Sequence, residues 1–358
     1  MTAPAAPPVS HPVSHRTGSW LARHAYEALS LLVLLLVAVQ TANGQWSSDM
    51  WEHVAVVREL SAHPFHPSHP QLALDAPHPG FSPYGVVLGL LGAATGAEPL
   101  GVLSVVGVLD VALLLAAFRW LVIETTRNHR ALVWALLAVL AFWGPRPFRY
   151  SGFYNLNSIG FVAPFPSTAT TAVALAVLAA GLRYARGGGR RWLVVVGVGS
   201  AFVALSHPLS APWLASALVV VALTGRLERA RVAGWALAAL GALGLCLVWP
   251  YYSFAELVAD SGGLDDLNET MYSGVVPRVL PLLLGVPLLV WRLRRDRRDV
   301  LGLWFLSAGL VYVVGAIVDN SSLGRTLAFI VLVLAIAIGD GAGRLEVSGT
   351  AWQRRAAV

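Results

Sequence analysis

Between Ser47 and Tyr84 the chain gathers the carboxylates Asp49 and Glu52 with the histidines His53, His63, His66, His69 and His78, and prolines follow His63, His66 and His69. Imidazole and carboxylate together suit several divalent metals. A metal held by Asp49 and His53 with one loop histidine is therefore one reading, and a metal-free loop stiffened by proline is the other. His-Pro steps favour a polyproline II course of about three residues per turn and about 3.1 Å rise. The imidazoles of His63, His66 and His69 would then share one edge about 9 Å apart, too far to close on one ion without a turn between them. Asp49 also suits a helix N-cap ahead of Met50 to Leu60, with Glu52 near the third helical position. A capping role thus stands beside a chemical one.

The elements that must position these residues are hydrophobic. The 358 residues are 56% hydrophobic and only 12% charged, with a mean hydropathy of +0.66. That balance excludes an ordinary soluble domain and points to an all-α polytopic membrane protein. The basic residues are all arginine, and the one cysteine, Cys246, lies in an apolar run and reads as a small core residue. Residues 1–25 read as a disordered cytoplasmic tail without a secretory cleavage pattern, residues 26–342 as a single transmembrane domain, and 343–358 as a second cytoplasmic tail.

Ten transmembrane helices are expected: Tyr26 to Ala42, Pro99 to Ile123, Arg130 to Gly144, Pro166 to Leu182, Trp192 to Ser206, Leu209 to Gly225, Val232 to Pro250, Pro277 to Trp291, Val300 to Val318 and Thr326 to Gly341. Phe81 to Gly96 is read as a juxtamembrane helix at the outer surface, within a first extracytoplasmic loop of residues 43–98. With both termini cytoplasmic in a plasma membrane, all arginines but Arg58, Arg146, Arg149, Arg278 and Arg325 fall on the inner side, as the positive-inside bias requires. Those five share the outer side with Asp49, Glu52, Asp75, Asp260, Asp265, Asp266 and Asp319. Charges of both signs at a membrane face point to an outward polar cavity. Asp110, mid-span, is expected to face the bundle interior and hold a structural hydrogen bond.

The order of these parts resembles the GT-C superfamily of membrane glycosyltransferases. Asp49, Trp51 and His53 are similar to the Asp-x-Trp-x-His phrase in the first loop of oligosaccharyltransferase-type members. Pro79 to Leu91 is similar to the Pro-Pro-Leu-Tyr-Tyr helix of mannosyl- and aminoarabinosyltransferases. The likeness of layout covers residues 26 to 210, with His207-Pro208 and Gly324-Arg325 beyond its core. Many members carry a second acidic residue after the first, where this chain has Met50. The Trp-Trp-Asp peptide-recognition motif is missing, which disfavours protein N-glycosylation, and the chain ends soon after its tenth span without the soluble domain that many relatives use to hold an acceptor.

The resemblance implies a polyprenyl-phosphate-linked sugar as donor, a cell-envelope glycan or glycolipid as acceptor, and transfer with inversion at the outer face. Asp49 would then be the catalytic base and Arg325 the phosphate ligand. Arg278, Arg146 and Arg149 are rivals for the phosphate, and His207, His53, Glu52 and Tyr150 are further binding groups. The divalent metal weighed above is the one cofactor considered and is not required, no nucleic acid is expected as partner, and a protein partner could supply acceptor choice. The aromatics Trp51, Phe148, Tyr150, Tyr154, Tyr251 and Tyr252 would stack on sugars or form an interfacial belt. The alternatives are a transporter or flippase of lipid-linked sugars and a non-catalytic scaffold of the same architecture.

Overall fold

A computed structural model describes residues 16–44, 46, 49–225, 228–259 and 269–356. Asp260, Asp265 and Asp266 lie outside the described residues. Among those described, all regular structure is helical. The helices are α1 (Arg16–Ala42), α2 (Met50–Ala62), α3 (Pro83–Thr95), α4 (Pro99–Thr126), α5 (Ala131–Ala141), α6 (Ile159–Val162), α7 (Pro166–Ala185), α8 (Arg191–Ser206), α9 (Ala211–Thr224), α10 (Arg229–Leu247) and α11 (Phe254–Ala259). The chain continues with α12 (Val275–Arg295), α13 (Val300–Ile317) and α14 (Leu327–Ala356). Within α12 the stretch Leu280–Leu284 tightens to a 3-10 helix, because Pro277, Pro281 and Pro287 each remove a backbone donor.

Seven of these, α1, α4, α7, α10, α12, α13 and α14 with its 3-10 lead Ser321–Thr326, are long and apolar enough to cross a bilayer. The protein is thus an all-α chain of multi-pass membrane character. The other three expected spans coincide with shorter apolar helices, Ala131–Ala141, Arg191–Ser206 and Pro208–Thr224. At 1.5 Å per residue, α5 is only about 16 Å long, roughly half a hydrocarbon core. Its flanking residues are not helical, and one of them, Gly144, donates its N–H to the carbonyl of Arg278 on α12 at 2.8 Å. Irregular backbone at membrane depth is tolerable where protein covers it in this way.

Two boundaries differ from the sequence reading. The N-terminal helix begins at Arg16, inside the tail taken as disordered, because alanine, leucine and arginine propagate a helix outward from the apolar segment. Likewise, α14 continues to Ala356 through the second tail.

The bundle is built around α7 and α14, whose most apolar windows are each 83% buried, against 11% for α10. On one side α7 packs on α4, α8 and α9; on the other, α14 packs on α5, α12 and α13. Leu31, Leu32, Leu35 and Val39 of α1 face outward, as apolar side chains do when the solvent is lipid. Successive helices alternate in direction. The C-terminal ends of α1, α8 and α10 and the N-terminal ends of α4, α7 and α14 therefore share one face with α2, α3 and the loop between them. Long-range hydrogen bonds knit that face: the Tyr84 N–H donates to Ser206 Oγ at 3.2 Å, Trp249 Nε1 to the Phe81 carbonyl at 3.0 Å, and Tyr251 OH to the Pro64 carbonyl at 2.6 Å.

Candidate functional site

The helix that carries the first candidates, α2, is held by α3. Ser82 caps α3 by accepting from the Gly85 N–H, Pro83 occupies its first turn, and Gly96 ends it in the left-handed conformation, each a residue type favoured at that position. Gly89 and Gly92 of α3 lie so close to α2 that an added Cβ would fall 2.3 Å from Leu60 Cβ and 2.2 Å from Ser61 Oγ, respectively. Small residues at such a contact let two helix backbones approach. Deeper in, Tyr84 OH donates to Asp110 Oδ2 at 2.7 Å, so the mid-span carboxylate ties α3 to α4.

Asp49 sits at the N-cap position of α2 with its side chain exposed, and that side chain makes no capping hydrogen bond. Its carboxylate acts electrostatically on Glu52, His53 and Arg325. His53, half-buried, stands edge-on to Phe165 at 5.1 Å, against the start of α7. Burial lowers its pKa, with Asp49 pulling the other way. Burial, and then Asp49, raise the pKa of Glu52. The structure therefore brings Asp49, Glu52, His53 and Arg325 into one electrostatic group.

Arg325 reaches this group from the 3-10 turn before α14. Its Nη1 donates to the Ser151 carbonyl at 3.1 Å, and its guanidinium lies 5.6 Å from the Tyr150 ring centroid. His207, in the turn between α8 and α9, pairs its Nδ1 with Ser210 Oγ at 2.8 Å. Its pKa is held down to about 3 by burial first, then by Arg325 and His53. Behind Arg325 and His207 lies a void of about 10 Å³ lined also by Ser151, Thr171 and Ser210, no larger than one water.

The other candidates are placed differently. Arg278 lies over Phe148 at 4.7 Å. Arg146 and Arg149 are exposed and make no ion pair among the described residues. Phe148, Tyr154 and Tyr252 are buried, at 0%, 2% and 8% exposure, so they cannot stack on a sugar. Trp51 and Tyr150 can, at 63% and 36%.

Two histidines of the run brace the loop. His69 Nδ1 accepts from the Gln71 and Leu72 N–H groups at 3.3 and 3.2 Å, and His78 Nδ1 accepts from the Gly80 N–H at 3.0 Å. Among the described residues no three His, Cys, Asp or Glu side chains converge as metal ligands, and Asp49 with His53 alone would leave an ion under-coordinated. His78 Nε2 lies 3.8 Å from Glu52 Oε1, yet burial, then His69 and His53, push its pKa down to about 4. At neutral pH that contact joins a neutral ring to the carboxyl group and is no ion pair.

Sequence reasoning missed Ser151 and Ser210, which lie in a loop and a turn, and Thr171 within α7. It also missed Asp340 on α14, 1% exposed, which accepts from Arg292 and, at 3.0 Å, from Arg344 Nε on the opposite face. The arrangement around Asp49 can accept a proton at an exposed carboxylate while a neighbouring guanidinium and neutral imidazoles meet an anion. Comparison with protein-family models, curated proteins and solved structures finds no match to this chain.

Proposed function

We propose that the chain is a membrane glycosyltransferase of the GT-C type, moving a sugar from a polyprenyl-phosphate donor to a cell-envelope glycan or lipid acceptor. The observation behind the reading is that Asp49, from the first loop, acts electrostatically on Arg325 in the turn before the last apolar helix. In the proposed step the Asp49 carboxylate takes the proton of the acceptor hydroxyl as its oxygen attacks the anomeric carbon. The bond from that carbon to the phosphate oxygen breaks, inversion results, and polyprenyl phosphate leaves with its charge offset by Arg325 and by hydrogen bonding from His207. Guanidinium suits that role because it meets phosphate oxygens with two parallel hydrogen bonds.

The same reading has α5, α8 and α9 crossing with the seven long helices, ten in all. It has α3 lying at the outer surface and the arginine-rich face turned to the cytoplasm of a plasma membrane, as the positive-inside bias favours. His53 and Tyr150 would line the sugar site.

The test is transfer of labelled sugar from a polyprenyl-phosphate donor in membranes containing wild-type, Asp49→Asn or Arg325→Ala protein at matched expression. Loss of a general base should lower the rate by about 10²-fold or more. Full activity in Asp49→Asn sinks the base assignment. Envelope glycans that are unchanged in mass when the gene is deleted would sink the transferase reading and favour a scaffold.

A further inference from the structure

On the face opposite Asp49, the ends of α4, α7 and α9 and the start of α13 surround an open cavity of about 750 Å³, lined in part by Thr125, Arg127, Arg186, Asp296, Arg298 and Asp299. Its two carboxylates are already engaged. Arg292 holds Asp299 through contacts of 2.7 to 3.1 Å, and Asp299 Oδ1 also caps α13 by accepting from the Gly302 N–H at 3.0 Å. Asp296 Oδ1 accepts from the Arg298 N–H at 2.8 Å. Just outside the cavity, Glu124 is shared between Arg183 at 2.6 Å and Arg186 at 3.1 Å.

The cations are less well matched. Arg127 and Arg298 make no ion pair among the described residues. Burial and the nearby Arg127 lower the pKa of Arg186 despite Glu124. Arg127 is also held at φ 53 as the residue that caps the C-terminal end of α4. A bulky side chain in the left-handed region costs free energy that glycine would avoid, and such cost tends to persist where the residue has a function.

We propose that this cavity binds a phosphate group, with the guanidiniums of Arg127, Arg186 and Arg298 as its donors. The fork of N–H groups on arginine matches phosphate oxygens, and an arriving anion offsets the repulsion between Arg127 and Arg186. The cavity lies where the ends of candidate membrane helices meet, so the phosphate is either that of an anionic phospholipid headgroup or a soluble one.

Full-length protein in detergent, heated with increasing inorganic phosphate at constant ionic strength, tests the soluble source. Native mass spectrometry after reconstitution into phosphatidylcholine with or without phosphatidylglycerol tests the lipid source. Arg127→Gly removes a charge while suiting the backbone, and Arg298→Gln removes a second without touching the core. Wild-type protein is expected to show saturable stabilisation by phosphate, or selective retention of phosphatidylglycerol, with apparent affinity about tenfold weaker in each variant. A response to phosphate assigns a soluble ligand, and retention of phosphatidylglycerol alone assigns a lipid. Absence of both, or binding equally strong in both variants, overturns the proposal.

Discussion

Removing Asp340 tests how the arginine-rich face is held. Asp340 takes donors from Arg292, from Arg344 Nε at 3.0 Å and from Asn128 Nδ2 at 3.5 Å. The Arg344 side chain is 50% exposed, so its contribution is small, and an amide at 3.5 Å is marginal. The weight falls on Arg292, whose side chain is 11% exposed and which also grips Asp299. Asp340→Ala leaves Arg292 with that second carboxylate, so the loss should be about 2 kcal/mol, the scale of a hydrogen bond to a charged group. Arg292→Met instead leaves Asp340, with a side chain 2% exposed, to Arg344 and Asn128, and takes the guanidinium from Asp299. Breaking a buried pair that way should cost about 3–5 kcal/mol. The double variant should fall short of the sum by about 1–3 kcal/mol, because both changes remove one shared contact. Apparent melting temperatures in a single detergent and at one scan rate report the order, since heating such a protein is commonly irreversible. Asp340→Ala should lower the midpoint by about 4 °C. A larger drop for Asp340→Ala than for Arg292→Met, or two effects that simply add, would refute the argument.

Three further outcomes follow from the Asp49 face. His207 and His78 are held to about 3 and about 4, against about 6.5 in an unfolded chain, so the unfolded state binds their protons first as pH falls. Stability should be complete above about pH 6.5 and lost towards pH 4 with a slope approaching 1.4 kcal/mol per unit for each histidine. Denaturation midpoints between pH 7 and 4.5 check this, and His207→Gln should flatten the slope. Arg325→Gln removes a cation that depresses His207, so histidine NMR should show that ring titrating at higher pH; an unmoved titration would separate the two residues. Gly89→Ala places a Cβ 2.3 Å from Leu60 Cβ and should cost about 1–3 kcal/mol. Proteolysis of the loop between α2 and α3, faster than in wild type, would show the contact opening.

Much of the fold was legible because local rules and the environment agree. Ser82, Pro83 and Gly96 mark the limits of α3, and Pro99 and Pro166 open α4 and α7. Helix lengths were less legible: Arg130 to Gly144 has the composition of a crossing, yet the helix ends at Ala141, and tertiary contact to α12 replaces the missing turn. The bond from Arg292 to Asp340 was not legible at all. The arginine reads as one of a loop cluster and the aspartate as the end of an apolar span, and only the parallel packing of α12 on α14 joins them. Of the site, the residue types were visible, but not which would meet. Arg146, Arg149 and Arg325 look alike in sequence, and of the three only Arg325 is held against Ser151 and Tyr150 and is acted on by Asp49.

The choice between capping and chemistry at Asp49 turns on backbone geometry. A side chain that caps a helix needs its own residue in the β region, so that the oxygen folds back onto the N–H groups of the first turn. Asp49 has φ −87 and ψ 20, and it opens α2 through its carbonyl, which accepts from the Glu52 N–H at 3.0 Å. The carboxylate makes no capping hydrogen bond and acts electrostatically on Arg325 and His53. Three substitutions separate the roles. Serine and asparagine are good caps without a basic carboxylate, whereas alanine is neither. If the carboxylate serves chemistry, Asp49→Ser, Asp49→Asn and Asp49→Ala should all keep their melting temperature within about 2 °C, since an exposed change without a lost cap costs about 0.5 kcal/mol or less, and all three should lose sugar transfer. Asp49→Ala destabilised by about 1 kcal/mol, with Asp49→Ser restored, would return Asp49 to the cap and leave Arg325 without its proposed partner in catalysis.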